Sequence, residues 1–231
     1  MQAAQLDHLV VIAPDLEAGV RWCESTLGVT PGPGGAHPLM GTHNRLMKIA
    51  TPDFPDAYFE IIAINSAVAP ERAAGLKRWF DLDNLALRER LDRDGPQLAH
   101  WVARTAEVQQ ACAAWRAFGI DRGVPLSASR MTPDGLLEWQ ITVRDDGQRL
   151  FDGALPTLIQ WGAVHPAPRM APSSITLRSL RLCHPEADRL RAALDALGLL
   201  RPDRLSVEAG PARLEALLDT PRGPVTVGSL P

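Results

Sequence analysis

Glu60 lies within Tyr58-Phe59-Glu60-Ile61-Ile62, an apolar run of strand length. Alternate strand residues share a face, which sets Glu60 beside Tyr58, Ile62 and Ile64. Burying a carboxylate there costs several kcal/mol or more unless a cation or hydrogen-bond donors meet it. Two histidines, His8 and His100, stand in short apolar runs of their own. His8 shares its predicted face with Leu6, Val10 and Ile12. A divalent cation held with two imidazoles would satisfy Glu60. So would an ion pair with Arg45, Arg104 or Arg130, or donation from the histidines. Thr42-His43-Asn44-Arg45 enters a strand and fits either a cavity wall that contacts substrate oxygens or a turn with a solvated face. Arg130 precedes the turn signal Thr132-Pro133-Asp134-Gly135 and fits either an anionic substrate or solvent. His37 and the stretch Pro31 to Gly35 read as a mobile loop that could cover a pocket. Trp139 and Trp161 read as packing residues, with Trp161 facing away from Gln160. His165 and His184 read as loop-edge residues without a role in the site.

The elements carrying these residues repeat three times. Leu6 to Ile12, Leu98 to Val102 and Leu177 to Leu182 each open a unit. Each is followed by a helical stripe and then a glycine: Gly28, Gly119 or Gly198. From His8 to Gly28 is 20 positions, from His100 to Gly119 is 19, and from Ser179 to Gly198 is 19. The stripes are Leu16, Val20, Cys23 and Leu27, then Val108, Ala111, Cys112, Trp115 and Phe118, then Leu190, Ala193, Leu194 and Leu197. Asp15 and Thr105 suit helix caps, and the glycines suit left-handed helix ends. Strand-like segments follow each helix, so the unit reads as strand–helix–strand–strand–strand. The expected divisions are a first βαβββ module at 1–66, a helical linker at 67–96, a second module at 97–165, and a third, shorter one at 175–231. Ser179 takes the histidine position in the third. The fold class is therefore α+β.

Composition narrows the function. The 231 residues include 24 Lys plus Arg against 27 Asp plus Glu, a formal charge of −3, with no basic stripe that would suit nucleic acid. No apolar run reaches the roughly 20 residues of a membrane span, and no signal-peptide layout opens the chain, so a cytoplasmic protein is expected. Cys23, Cys112 and Cys183 are odd in number and dispersed, which suits a reducing compartment. Aromatic residues are 5%, which argues against a large stacked ligand. No phosphate-cradling Gly-Lys-Ser/Thr loop, Gly-x-Gly-x-x-Gly fingerprint, Cys-x-x-Cys pair or Gly-x-Ser-x-Gly elbow is present.

Paired βαβββ modules with polar residues on their first and last strands resemble the vicinal oxygen chelate superfamily, and within it the glyoxalase-like domain proteins. Leu6-Asp7-His8-Leu9-Val10, Gly41 to Leu46, Tyr58 to Ile62 and Leu155 to Trp161 carry the likeness. The resemblance implies two modules paired around a central cavity. It implies a metal set of His8, Glu60, His100 and Gln160, where many relatives have glutamate at the last position. The ion would be divalent (zinc, manganese, nickel or iron). Glu60 would be the catalytic group, and His43, Asn44, Arg45 and Arg130 would contact substrate. The function implied is metal-assisted lyase, isomerase or oxygenase chemistry on a small oxygenated metabolite. The alternative is a metal-free protein that binds a small ligand in the same cavity. A homodimer is expected, because an open sheet edge with Leu214, Leu217 and Val225 would need covering.

Overall fold

The computed structural model describes residues 2–132 and 135–229. The first unit runs β1 (Gln5–Ile12), α1 (Leu16–Leu27), β2 (Ala36–His37), β3 (Thr42–Lys48) and β4 (Tyr58–Ile64). After α2 (Leu85–Asp94), the second runs β5 (Gln97–Arg104), α3 (Val108–Arg116), β6 (Pro125–Thr132), β7 (Gly135–Thr142) and β8 (Thr157–Trp161). The third comprises β9 (Thr176–His184), α4 (Ala187–Asp195), β10 (Leu205–Ala209), β11 (Arg213–Thr220) and β12 (Gly223–Gly228). The fold is α+β, as the repeat predicts.

β1 and β5 pair antiparallel and join the first two units into one eight-stranded sheet, ordered β2-β3-β4-β1-β5-β8-β7-β6. Each half pairs its first strand parallel to its last, β1 with β4 and β5 with β8. The sheet curls until Arg130 on edge strand β6 reaches Gly35, the residue before the opposite edge strand β2. A Cβ on Gly35 would collide with the Arg130 guanidinium. The third unit has the same element order but pairs differently. β9 lies between β10, parallel, and β11, antiparallel, in a separate four-stranded sheet.

The expected helix signals operate at most ends. Asp15 accepts from the Ala18 amide at 2.6 Å and starts α1. Gly28, Gly119 and Gly198 have φ of 77°, 66° and 65°, the left-handed conformation that ends a helix. Thr105 caps less directly, accepting only from the Glu107 amide at 3.3 Å. At α3 the first helical amide, that of Val108, donates to Gln160 instead.

Two cores divide the sheet. On the convex side Leu9, Val11, Phe59, Ile61 and Trp101 pack with the helices and with the third unit's Leu180, Leu182, Leu214 and Leu218. Cys23 and Cys112 are buried there as small apolar residues. The concave side holds Val10, Ile12, Ile62, Val102, Leu137, Trp139 and Ile141. Linker residues Trp79, Phe80, Leu82, Leu87 and Leu91 fill one end of it. Among the described residues no helix is long and apolar enough to cross a membrane.

Candidate functional site

β1 carries a bulge at Asp7, because Leu6 pairs with Ala103 while His8 pairs with Val102. The bulge breaks the simple alternation. Leu6 belongs to the convex core, and His8 turns into the cavity, so the two do not share the expected face. β5 has the matching irregularity at Ala99, one residue before His100. The two histidines are thus equivalent in the internal repeat.

Asp7 is fully buried. Its Oδ1 accepts from His8 Nδ1 at 2.6 Å; its Oδ2 accepts from Trp161 Nε1 and His165 Nε2, each at 2.9 Å. Burial alone would raise the Asp7 pKa, but the bonds from His165 and His8 outweigh it and hold the carboxyl well below its usual range. With Nδ1–H committed to Asp7, His8 presents Nε2 to the cavity, 3.6 Å from Glu60 Oε2. The ring stacks on Tyr58 with centroids 4.5 Å apart. Glu60 Oε1 accepts from Asn44 Nδ2 at 2.6 Å, and Asn44 Oδ1 accepts from the Gly35 amide at 2.8 Å. His37 lines the same wall. Burial, with Arg130 nearby, lowers its pKa to about 3, so it is neutral at ordinary pH.

His100 does not join this group. Its Nδ1 donates to the Gly153 carbonyl at 2.9 Å and its Nε2 accepts from the Thr157 amide at 3.1 Å. Both ring nitrogens are spent inside the protein. Burial, then Arg122 and Arg149, drive its pKa far down, and the ring is neutral. The register explains the difference. Val10 pairs with Glu60, and the equivalent Val102 pairs with Thr157. Thr157, rather than Gln160, is therefore the counterpart of Glu60. Gln160 points to the convex side, where its Oε1 accepts from the Val108 amide at 2.9 Å.

The four-ligand metal set is not assembled. Of His8, Glu60, His100 and Gln160, only His8 and Glu60 meet. Among the described residues no group of three or more His, Cys, Asp or Glu side chains is placed to hold an ion. Two donors fall short of the three protein ligands usual in a catalytic zinc site, so the residues do not fit such a centre.

Of the expected substrate contacts, Asn44 and Arg130 line the cavity. His43 and Arg45 do not, since both sit on the other face of β3, with Arg45 exposed. Of the expected partners of Glu60, Arg104 pairs instead with Asp56 at 3.2 Å and Arg45 is exposed, while His8 lies beside it and Arg130 lines the same cavity. Pro31 to Gly35 packs behind lining residues, Gly34 against Asn44 and Gly35 against Arg130. Pro133 and Asp134 of the β6–β7 turn lie outside the described residues.

Several lining residues escaped the sequence reading. Trp79, Phe80, Trp139 and Trp161 form the apolar wall. Three of the six tryptophans therefore face one cavity, which the overall aromatic content of 5% conceals. Alternation held the signal for Trp161, which shares a strand face with Ile159 and opposes Gln160. Nothing in the sequence pattern marks Asp7, whose placement depends on the bulge. The cavity offers about 40 Å³ to the centres of water-sized molecules, room for a few waters or the end of a small ligand.

Two curled halves sharing one concave cavity define a paired-module protein of the vicinal oxygen chelate superfamily. The glyoxalase-like domain model matches residues 6–198, and the chain belongs to that family. Among solved structures it is similar to a hypothetical protein from Staphylococcus aureus, with 13% identity and a TM-score of 0.61 over 90% of this chain and 87% of that one. A methylmalonyl-CoA epimerase bound to methylmalonyl-CoA matches at 19% identity and a TM-score of 0.43, over 71% of this chain and 99% of that one. No curated protein matches the chain.

Proposed function

We propose that the chain is a glyoxalase-like enzyme that binds a small oxygenated metabolite in the inter-module cavity and transfers a proton on it, with His8 as the proton carrier. The observation that supports this reading is the array Asp7–His8–Glu60. A buried carboxylate fixes the imidazole tautomer at 2.6 Å, and the free Nε2 faces the cavity beside a second carboxylate. An oriented, desolvated imidazole with a free lone pair is the arrangement general-base chemistry needs. Asn44 holds Glu60 in place through Oε1 and leaves Oε2 beside His8. Tyr58 backs the ring, and the tryptophan wall keeps water from the reacting carbon.

The test is deuterium wash-in from heavy water into small 2-oxo and 2-hydroxy acids with an exchangeable C–H, followed by proton NMR. His8→Asn is expected to slow exchange about 10²–10⁴-fold, the usual weight of general acid–base catalysis. Glu60→Gln is expected to slow it less. Wild-type exchange no faster than buffer, or unchanged by His8→Asn, would overturn proton transfer and leave a ligand-binding protein.

A further inference from the structure

Among the described residues, two that line the cavity have buried N–H groups without a partner: Trp79, through Nε1, and the charged Arg130. It stands on β6 at an inward position, on the same strand face as Leu126 and Ala128. Its Nε and Nη1 are buried and have no hydrogen-bond partner. Among the described residues no carboxylate lies within ion-pair distance of it. Glu60 lines the same cavity but spends Oε1 on Asn44 and sets Oε2 beside His8. A buried guanidinium without a counter-charge is costly, and a planar anion with paired oxygens suits it best. The chain also makes room for it. Gly35 lacks the Cβ that would collide with Nη1. Leu137 lies beside Arg130 on β7, with Trp139 two residues along that strand, and Trp79, Phe80 and Trp161 line the same cavity.

We propose that Arg130 is a carboxylate clamp, and that the cavity takes a small organic acid with a flat apolar body. The acid's anionic end sits on the Arg130 guanidinium, and its body lies against the tryptophan wall. The end bearing the exchangeable proton then faces His8 and Glu60. This deepens the reading of the cavity as the ligand site and rests on it. A bound anion would supply acceptors to the Nε–H and Nη1–H groups that the protein leaves unbonded.

Phenylacetate and its neutral amide, phenylacetamide, are suitable probes, read by quenching of the cavity tryptophans. Wild-type protein is expected to bind the acid about tenfold or more tightly than the amide, because a charge-assisted bond to guanidinium favours the anion. Arg130→Gln is expected to remove that preference and leave amide affinity unchanged. Gly35→Ala is expected to act in the same direction while keeping the fold, since what its Cβ meets is the movable end of Arg130. Equal affinity for acid and amide in the wild type, or no saturable binding of either at millimolar concentration, would overturn the clamp. Trp139→Ala and Glu60→Gln separate the two levels of the argument. If they alter probe affinity while Arg130→Gln does not, the clamp alone is wrong. If none of the three variants matters, the cavity is not the ligand site.

Discussion

At the scale of single residues, the site depends on one buried charge that is fully bonded. Asp7 accepts three hydrogen bonds at no exposure, so removing its charge strands donors that nothing else can satisfy. Asp7→Asn is expected to cost about 3 kcal/mol in urea denaturation, the scale for breaking a buried charged network. The same residue makes the fold sensitive to acid. Its pKa is depressed in the folded state, so its contribution is present above the unfolded value of about 3.9 and is lost as pH falls below it. His100 acts in the same direction over a higher window. It stays neutral when folded but protonates near pH 6.5 when unfolded, so stability falls as pH drops below about 6.5, by up to about 1.4 kcal/mol per pH unit. Denaturation midpoints measured from pH 7 to 4 should decline, and His100→Gln should flatten that slope. Glu60 was legible in the sequence because a carboxylate amid Tyr58, Ile62 and Ile64 demands a partner. Asp7 was not, because a bulge decides which way it points and strand alternation carries no mark of one.

At the scale of elements, the repeat was readable to the level of helix ends, since glycines at 28, 119 and 198 follow the same register. Long apolar strands such as β4 were readable as well. β6 was not: Pro125–Thr132 mixes serine, alanine and proline, and its inward residues are only half-buried at a sheet edge. Its invisibility hid the reason Arg130 turns inward. Gln160 shows how register corrects resemblance. A count along the last strand assigns it to the ligand position, but hydrogen-bonded pairing assigns that position to Thr157. Gln160 caps α3 instead. Gln160→Ala is therefore expected to lower stability by about 1 kcal/mol, the weight of a helix cap, and to leave probe binding unchanged. Thermal melting beside the fluorescence titration checks both halves of that statement.

At the scale of the whole molecule, the third unit covers the convex face and not the cavity. Leu180, Leu182, Leu214 and Leu218 share the core of the first two units, and Trp115 Nε1 on α3 donates to the Ala193 carbonyl on α4 at 2.7 Å. Leu214, expected on an uncovered edge, is 1% exposed, and Val225 packs against the same core. Leu217, the third residue of that expectation, stays half-buried and outside this core. The short Pro-rich connection after Val164 also contributes more than a link: His165 bonds Asp7, and Pro166 lines the cavity. A chain ending at Ala171 keeps these residues but uncovers the convex core. It is expected to bind a hydrophobic dye and lose near-ultraviolet ellipticity. Cooperative unfolding of that fragment with wild-type probe binding would instead mark the third unit as independent.

The bonds that close around Asp7 also impose an order of events on synthesis. Trp161 and His165 stand 154 and 158 positions along the chain from their acceptor. Contacts of such sequence separation form late, after the loops they close have been ordered. A nascent chain emerging from the ribosome can build the first sheet half, with its imidazole and both carboxylates, long before any indole or second imidazole arrives to bond Asp7. During that interval His8 has a solvated, unfixed neighbour and no second wall opposite it. The bonding that fixes the His8 imidazole through Asp7 is therefore complete only once the chain has been made as far as residue 165.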